Sequence, residues 1–414
     1  MNINHKKGSY QIDDVSVSDI ADKFGTPCFI YSANSISQNF SEIKDIFCNE
    51  KNSVYYSVKA NSSLSILKLL SDLGAGFDIV SIGELERVIK VGANPKKIVY
   101  SGVGKSESDI KKSLELGIRC INVESFAELE RINKIAKNLK IKAPVAIRVN
   151  PNIDPGSHEY ISTGLESTKF GINLKNMMDA FIYANEQQFI DLIGIDYHIG
   201  SQIETIEPFI EAIISVSKII KELEKNSISV ELIDMGGGIG IDYSNNNVPS
   251  IKQFGKAINQ AIKDNELDKY NLILELGRCI VGNAGYLITK VEYIKKDSEK
   301  NYVIVDAGMD NLIRPALYNA WHNIISTNNR AEEILCDVVG PVCECADFVG
   351  KERRLAVEQD DILIITSCGA YAASMASNYN SRAKAAEVII KNKKAILVSR
   401  REEIDEILSR EIII

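Results

Sequence analysis

Between residues 54 and 275 the chain alternates short β-branched runs with amphipathic helical stretches, and few architectures accept that rhythm. The runs are VYYSV (54–58), FDIV (77–80), IVYS (98–101), IRCIN (118–122), VAIRV (145–149), LIGIDY (192–197), VELID (230–234) and NLILE (271–275). Between them lie segments with helical spacing, such as SLSILKLLSDLG, SESDIKKSLELG, SFAELERINKIAKN and PFIEAIISVSKIIKELEK. The strand candidates are rich in apolar residues and look buried, as expected where both faces of a parallel sheet are covered. Eight such units over roughly 220–250 residues predict a (β/α)8 TIM-type barrel. A doubly wound sheet has the same local pattern and stays open at this point.

After about residue 277 the rhythm changes. YLITKVEYI, YVIVDAG, ILCDVVG, DILIIT and EVII read as strands with few long helices between them, which predicts a mainly β second domain. Residues 1–34 hold short strand-like runs and no complete βα unit. The expected division is therefore a barrel over residues 35–276, with residues 1–34 and 277–414 forming the β domain.

Charge and apolar content limit the partners. The net charge of -8 offers no basic field for a phosphate backbone, so no nucleic acid is expected. No apolar run reaches membrane-span length, and the N-terminus MNINHKKGSY lacks the apolar core of a signal peptide. These features predict a cytoplasmic protein without a membrane partner. Its eight cysteines should then be free thiols, mostly packed as small hydrophobes. A zinc site at Cys336, Cys343, Cys345 and His322 is the competing reading, but the spacing matches no paired C-x-x-C framework. No metal is expected.

Barrel enzymes collect functional groups at the C-terminal ends of their strands. In this chain those positions hold Lys59 after the first strand and His198, Gly200 and Ser201 after the sixth. Gly236, Gly237 and Gly238 follow the seventh, and Glu275, Leu276, Gly277 and Arg278 end the eighth. The glycine run satisfies neither G-x-G-x-x-G nor a P-loop, and alone it reads as a tight turn. After strand seven of a barrel its backbone N–H groups become a phosphate cradle. A lysine at a low-dielectric mouth becomes a Schiff-base candidate. Cradle and lysine together point to pyridoxal 5'-phosphate, for whose ring nitrogen Glu275 is the acidic partner.

YYSVKAN, HIGSQ, DMGGGIG and ELGR resemble, in order, the motifs of the alanine-racemase-like, fold-type III pyridoxal phosphate decarboxylases. NPNIDPGSHEYISTGLESTKFGI, DAGMDNLIRPALYNAWH, VVGPVCECADF and GAYAASMASNYNSR are similar to the branch that decarboxylates meso-2,6-diaminopimelate to L-lysine, rather than to the ornithine or arginine branches. A related enzyme acting on a carboxy-polyamine or another basic amino acid is the alternative.

The resemblance implies roles for matching positions. Lys59 would carry the cofactor as a Schiff base and His198 would stack on its ring. Ser201 and Gly236–Gly238 would hold the phosphate, with Gly277, Arg278 and Tyr371 close by, and Glu275 would meet the ring nitrogen. Arg278, Arg314 and Tyr318 would bind the substrate's distal carboxylate, Tyr371 would also bind substrate, and Glu344 would take its distal ammonium. Cys343 would protonate the α-carbon after carbon dioxide leaves. Cys343 and Glu344 would reach the site from the partner of a homodimer with shared active sites. Three positions depart from the family pattern: Leu276 stands where proline is usual, Asp196 where a histidine is frequent, and Cys345 where a small residue is usual.

Overall fold

A computed structural model of the chain describes residues 3–6, 9–154, 156, 158–161, 163–164, 168–244, 247–328 and 330–414. Pro155, Ser157, Ser162, Leu165, Glu166 and Ser167, part of the motif between Asn150 and Ile172, lie outside the described residues. The chain forms two compact units. One comprises Met1–Gln38, Asp242–Asn246 and Ile280–Ile414, and the other Asn39–Ile241 and Asn247–Cys279.

The second of these is the barrel. Its strands are β1 (Ser53–Ser57), β2 (Gly76–Ile79), β3 (Ile98–Tyr100), β4 (Cys120–Val123), β5 (Ala143–Asn150), β6 (Ile190–Asp196), β7 (Leu232–Asp234) and β8 (Asn271–Leu276). Every neighbouring pair is parallel, and β8 closes on β1 through Ile273 opposite Ser53 and Leu276 opposite Tyr56. That closure excludes the doubly wound alternative. Tyr55, Val99, Cys120, Ala146, Ile193, Leu232 and Ile273, from every strand but β2, pack into one buried cluster. At β2 a side chain on Gly76 would overlap the Tyr55 ring, so the glycine makes room for that ring. This is a side-chain-filled interior, and function is left to the rim.

The crossover helices start where the sequence supplies caps. Ser81 and Ser125 accept from the N–H groups of Glu84 and Glu128, and Ser106 with Asp109 forms a reciprocal capping box. Pro208 sits in the first turn of the helix Glu207–Lys225, where a missing N–H is tolerated. Among the described residues no helix is long and apolar enough to cross a membrane.

The other unit is mostly sheet. Its strands run in the order Phe348–Leu355, Ile334–Val339, Asn301–Val305, Gly285–Lys295, Cys28–Ser32, Ala386–Lys391 and Lys394–Ser399. Ile362–Ile365 adds to Gly285–Lys295 and also pairs with Ile324–Ser326. Cys28, Ile30, Tyr286, Ile288, Ile364 and Val388 form its core with Ile12, Val17 and Ile20 of the N-terminal segment. The eight cysteines are all unbridged.

Candidate active site

The barrel rim gathers Lys59, His198, Ser201, the glycine run, Glu275, Gly277 and Arg278. Lys59 lies in a single 3-10 turn, Val58–Ala60, directly after β1. Its Nζ donates to Asp78 Oδ2 at 2.5 Å, and Asp78 is fully buried at the end of β2. Asp78 was not among the expected residues, although the strand-end rule that selected Lys59 and Glu275 also covers FDIV.

Glycine is required in the turn after β7 for two reasons. Gly236 and Gly238 have φ of +59° and +110°, and side chains on Gly237 and Gly238 would overlap the carbonyl oxygens of Glu275 and Gly200. The turn also sets the state of His198. Gly237 N–H donates to His198 Nδ1 at 3.0 Å, so that nitrogen is an acceptor and the ring's proton is on Nε2. Burial, aided by the charges of Arg148 and Lys59, holds the His198 pKa well below its usual value. His198 is thus a neutral ring at the mouth. Gly236 N–H donates to Asp234 Oδ1, so two N–H groups of the run serve inside the chain. Ser201 Oγ accepts from Arg278 Nη2 at 2.9 Å, which joins the ends of the β6 and β8 segments. Gly277 allows Ala60 and Ser57 of the lysine turn to pack against its backbone. Leu276, in the position usual for proline, is fully buried as the last residue of β8.

Beneath this rim lies an unusual concentration of acids. Asp196, Asp234 and Glu275 each place an oxygen within 4.8 Å of the others, all buried. Burial, then the charge of Asp234, pushes the pKa values of Asp196 and Glu275 well above the carboxylate range. Burial raises Asp234 to about 6, against hydrogen bonds to Glu275, Asn122 and Gly236 that lower it. Asp196 has Arg148 Nε at 3.7 Å from Oδ2, and no hydrogen-bond partner on Oδ1 among the described residues. Arg148 Nη1 is held by Glu124 Oε1 at 2.6 Å. Asp78, Glu124, Asp196, Asp234 and Glu275 outnumber Lys59 and Arg148 in this interior. Such a set favours a cation, and a protonated ring nitrogen beside Glu275 would meet that demand. Together with the glycine cradle and the Lys59 amine, these residues fit pyridoxal phosphate.

The remaining expected residues belong to the β-rich unit. Arg314, buried, opens the short helix Arg314–Tyr318 and puts Tyr318 one turn further on. Tyr371 is half-buried with φ of +55°. Cys343 and Glu344 are exposed, on a turn held by Cys343 N–H donating to Asn380 Oδ1 at 2.8 Å and Val342 N–H donating to Asp347 Oδ2 at 2.6 Å. Glu344 accepts from the Tyr379 hydroxyl, which raises the Tyr379 pKa. A zinc centre does not assemble. Cys336 is buried in a strand, Cys343 and Cys345 are exposed, and both His322 ring nitrogens are engaged by Arg314 and Thr366.

The class follows from this site and from likeness to known proteins. Residues 33–282 match the pyridoxal-binding domain of the pyridoxal-dependent decarboxylases, and the chain belongs to that family. Within the family its relatives are more particular. The diaminopimelate decarboxylase of Neisseria meningitidis serogroup B is 44% identical over 394 residues, spanning 95% of this chain and 94% of that protein. The crystal structure of diaminopimelate decarboxylase from Helicobacter pylori complexed with L-lysine is 42% identical with a TM-score of 0.90, covering 95% of this chain and 98% of that one. The diaminopimelate decarboxylase of M. jannaschii, in co-complex with L-lysine, is 37% identical with a TM-score of 0.95, covering 100% of this chain and 98% of that one.

Proposed function

We propose that this chain is a pyridoxal-phosphate-dependent decarboxylase that converts meso-2,6-diaminopimelate to L-lysine and carbon dioxide. The observation that carries the reading is the rim itself. One lysine amine, one neutral histidine, a glycine cradle and a buried acid converge at the C-terminal ends of β1, β6, β7 and β8, in a chain 37–44% identical to these diaminopimelate decarboxylases along nearly its whole length.

The bound cofactor supplies an electron sink for the pair left behind when the carboxylate departs. The chain's own residues do the rest. Lys59 would hold the cofactor through its amine, whose position Asp78 fixes. Glu275 would hold a proton at the ring nitrogen, since its buried neighbours favour a cation there. His198, uncharged, would pack on the ring without competing for that charge. Arg278 and Ser201 close the phosphate end. Arg314 and Tyr318 bind the distal carboxylate, for which a planar guanidinium is well suited. Glu344 takes the distal ammonium, and Cys343 delivers a proton to the α-carbon. Cys343 and Glu344 are exposed on the single chain, which supports a homodimer in which each copy completes the other's site.

The test is carbon dioxide release from a panel of amino acids. Diaminopimelate should exceed ornithine and lysine by at least about a thousandfold in kcat/KM, the scale on which an unfilled polar site discriminates. Comparable turnover of ornithine or lysine overturns the substrate assignment.

A further inference from the structure

Arg314 is buried, and its environment dictates the protonation state of a neighbouring side chain that the reaction itself does not require. Arg314 Nη1 lies 2.8 Å from His322 Nε2, and His322 Nδ1 lies 2.9 Å from the carbonyl oxygen of Thr366. Arginine can only donate, so Nε2 must carry a lone pair. A carbonyl can only accept, so Nδ1 must carry the proton. Only the neutral Nδ1–H tautomer satisfies both contacts, and an imidazolium would face the guanidinium donor to donor and charge to charge. His322 is fully buried. Its backbone is fixed as well, because Arg353 Nη2 donates to the His322 carbonyl at 3.1 Å while its guanidinium lies over the Trp321 ring. Tyr243 completes the arrangement, with its ring 4.5 Å from the Arg314 guanidinium carbon and edge-on to His322 at 5.2 Å.

We infer that His322 is a positioning residue for substrate recognition: as a neutral acceptor it fixes the Arg314 guanidinium against the Tyr243 face and so sets the affinity for the substrate's distal carboxylate. This rests on the assignment of Arg314 to that carboxylate. The choice of a neutral acceptor has a chemical reason. An aspartate or glutamate at this place would fix the same nitrogen but cancel the charge that the substrate must meet. An imidazole lone pair orients the guanidinium and leaves its charge intact. The reach also separates the two ring nitrogens by function, with Nδ1 anchoring to the main chain and Nε2 acting on Arg314.

Two measurements on the cofactor-loaded enzyme test it. With histidine labelled in the ring nitrogens, NMR should show His322 protonated on Nδ1 and bare on Nε2. A protonated Nε2 overturns the proposal without any variant having to fold. Kinetics then separate positioning from packing. His322→Leu should raise KM for diaminopimelate about tenfold, the scale of one lost hydrogen bond, with kcat within about threefold. His322→Gln, whose side-chain oxygen can reach the Nε2 position, should restore KM to within about threefold. Inhibition by L-lysine, the product that keeps the distal carboxylate, should weaken by the same factor as KM rises in His322→Leu and recover in His322→Gln. A loss in kcat equal to the rise in KM, unchanged L-lysine inhibition in His322→Leu, or no rescue by glutamine, overturns the proposal. Arg314→Ala is the reference. If it leaves KM unchanged, the carboxylate assignment fails. If it raises KM while His322→Leu does not, that assignment stands and the role of His322 fails.

Discussion

Asp234→Asn isolates the cost of burying charge under the rim. Burial lifts the Asp234 pKa from its ordinary 3.8 to about 6 in the folded chain. Between those values the folded protein holds a proton that the unfolded chain has already released. Stability therefore falls as pH rises through this window, the reverse of a salt-bridged aspartate. About two pH units at 1.36 kcal/mol each make the penalty about 3 kcal/mol above pH 7. Asparagine never ionises, so it escapes that slope. Its amide must turn an N–H toward either Asn122 Nδ2 or Gly236 N–H, the two donors that Asp234 now accepts. That misfit costs the same at every pH, so the readout is the pH dependence of the difference and not its size at one pH. In a domain of this size 1 kcal/mol moves the melting temperature by about 2–4 °C. In cofactor-free protein, the melting temperature of Asp234→Asn minus that of the native chain should rise by roughly 6–12 °C between pH 4 and pH 7.5. Asp234 is also the largest charge raising Asp196 and Glu275, so relief should extend to both. Parallel melting curves across that range would show that Asp234 is not the buried charge at issue.

Lys59→Ala should abolish the borohydride-stable attachment of cofactor while phosphate contacts retain some of it, and a peptide map placing the cofactor on another lysine refutes the assignment. For the shared site, inactive Lys59→Ala and Cys343→Ala proteins refolded together in equal amounts should regain about a quarter of native activity. Random pairing makes half the dimers mixed, and each mixed dimer has one intact site. A mixture that exchanges subunits yet stays inactive would place both residues on one chain.

What could be read from the sequence, and what could not, divides along a physical line. The barrel was legible because each strand must bury both faces, and that demand leaves an apolar run that any reader can count. Lys59, Glu275 and the glycines were legible because a strand end in a barrel is a position with a known role, and a polar residue there stands out against the run before it. Asp78 lies inside FDIV, near the end of such a run, and a single aspartate in a strand candidate carries no role until a lysine is seen 2.5 Å away. Arg148 lies within β5 and signals nothing in a linear pattern, and Asp196, noted only for standing where a histidine is frequent, does not show its partner, because their pairing crosses from β5 to β6.

His322 shows the limit of residue type. Beside Cys336, Cys343 and Cys345 it suggested a zinc ligand, a reading that the spacing already spoke against. Its state is fixed instead by two groups that sequence spacing does not expose, a guanidinium eight residues before it and a carbonyl forty-four residues after it. The residues proposed to bind cofactor sit at ends of elements and can be found by counting. Those that hold the binding residues in place sit at crossings between elements, where the fold has to be known first.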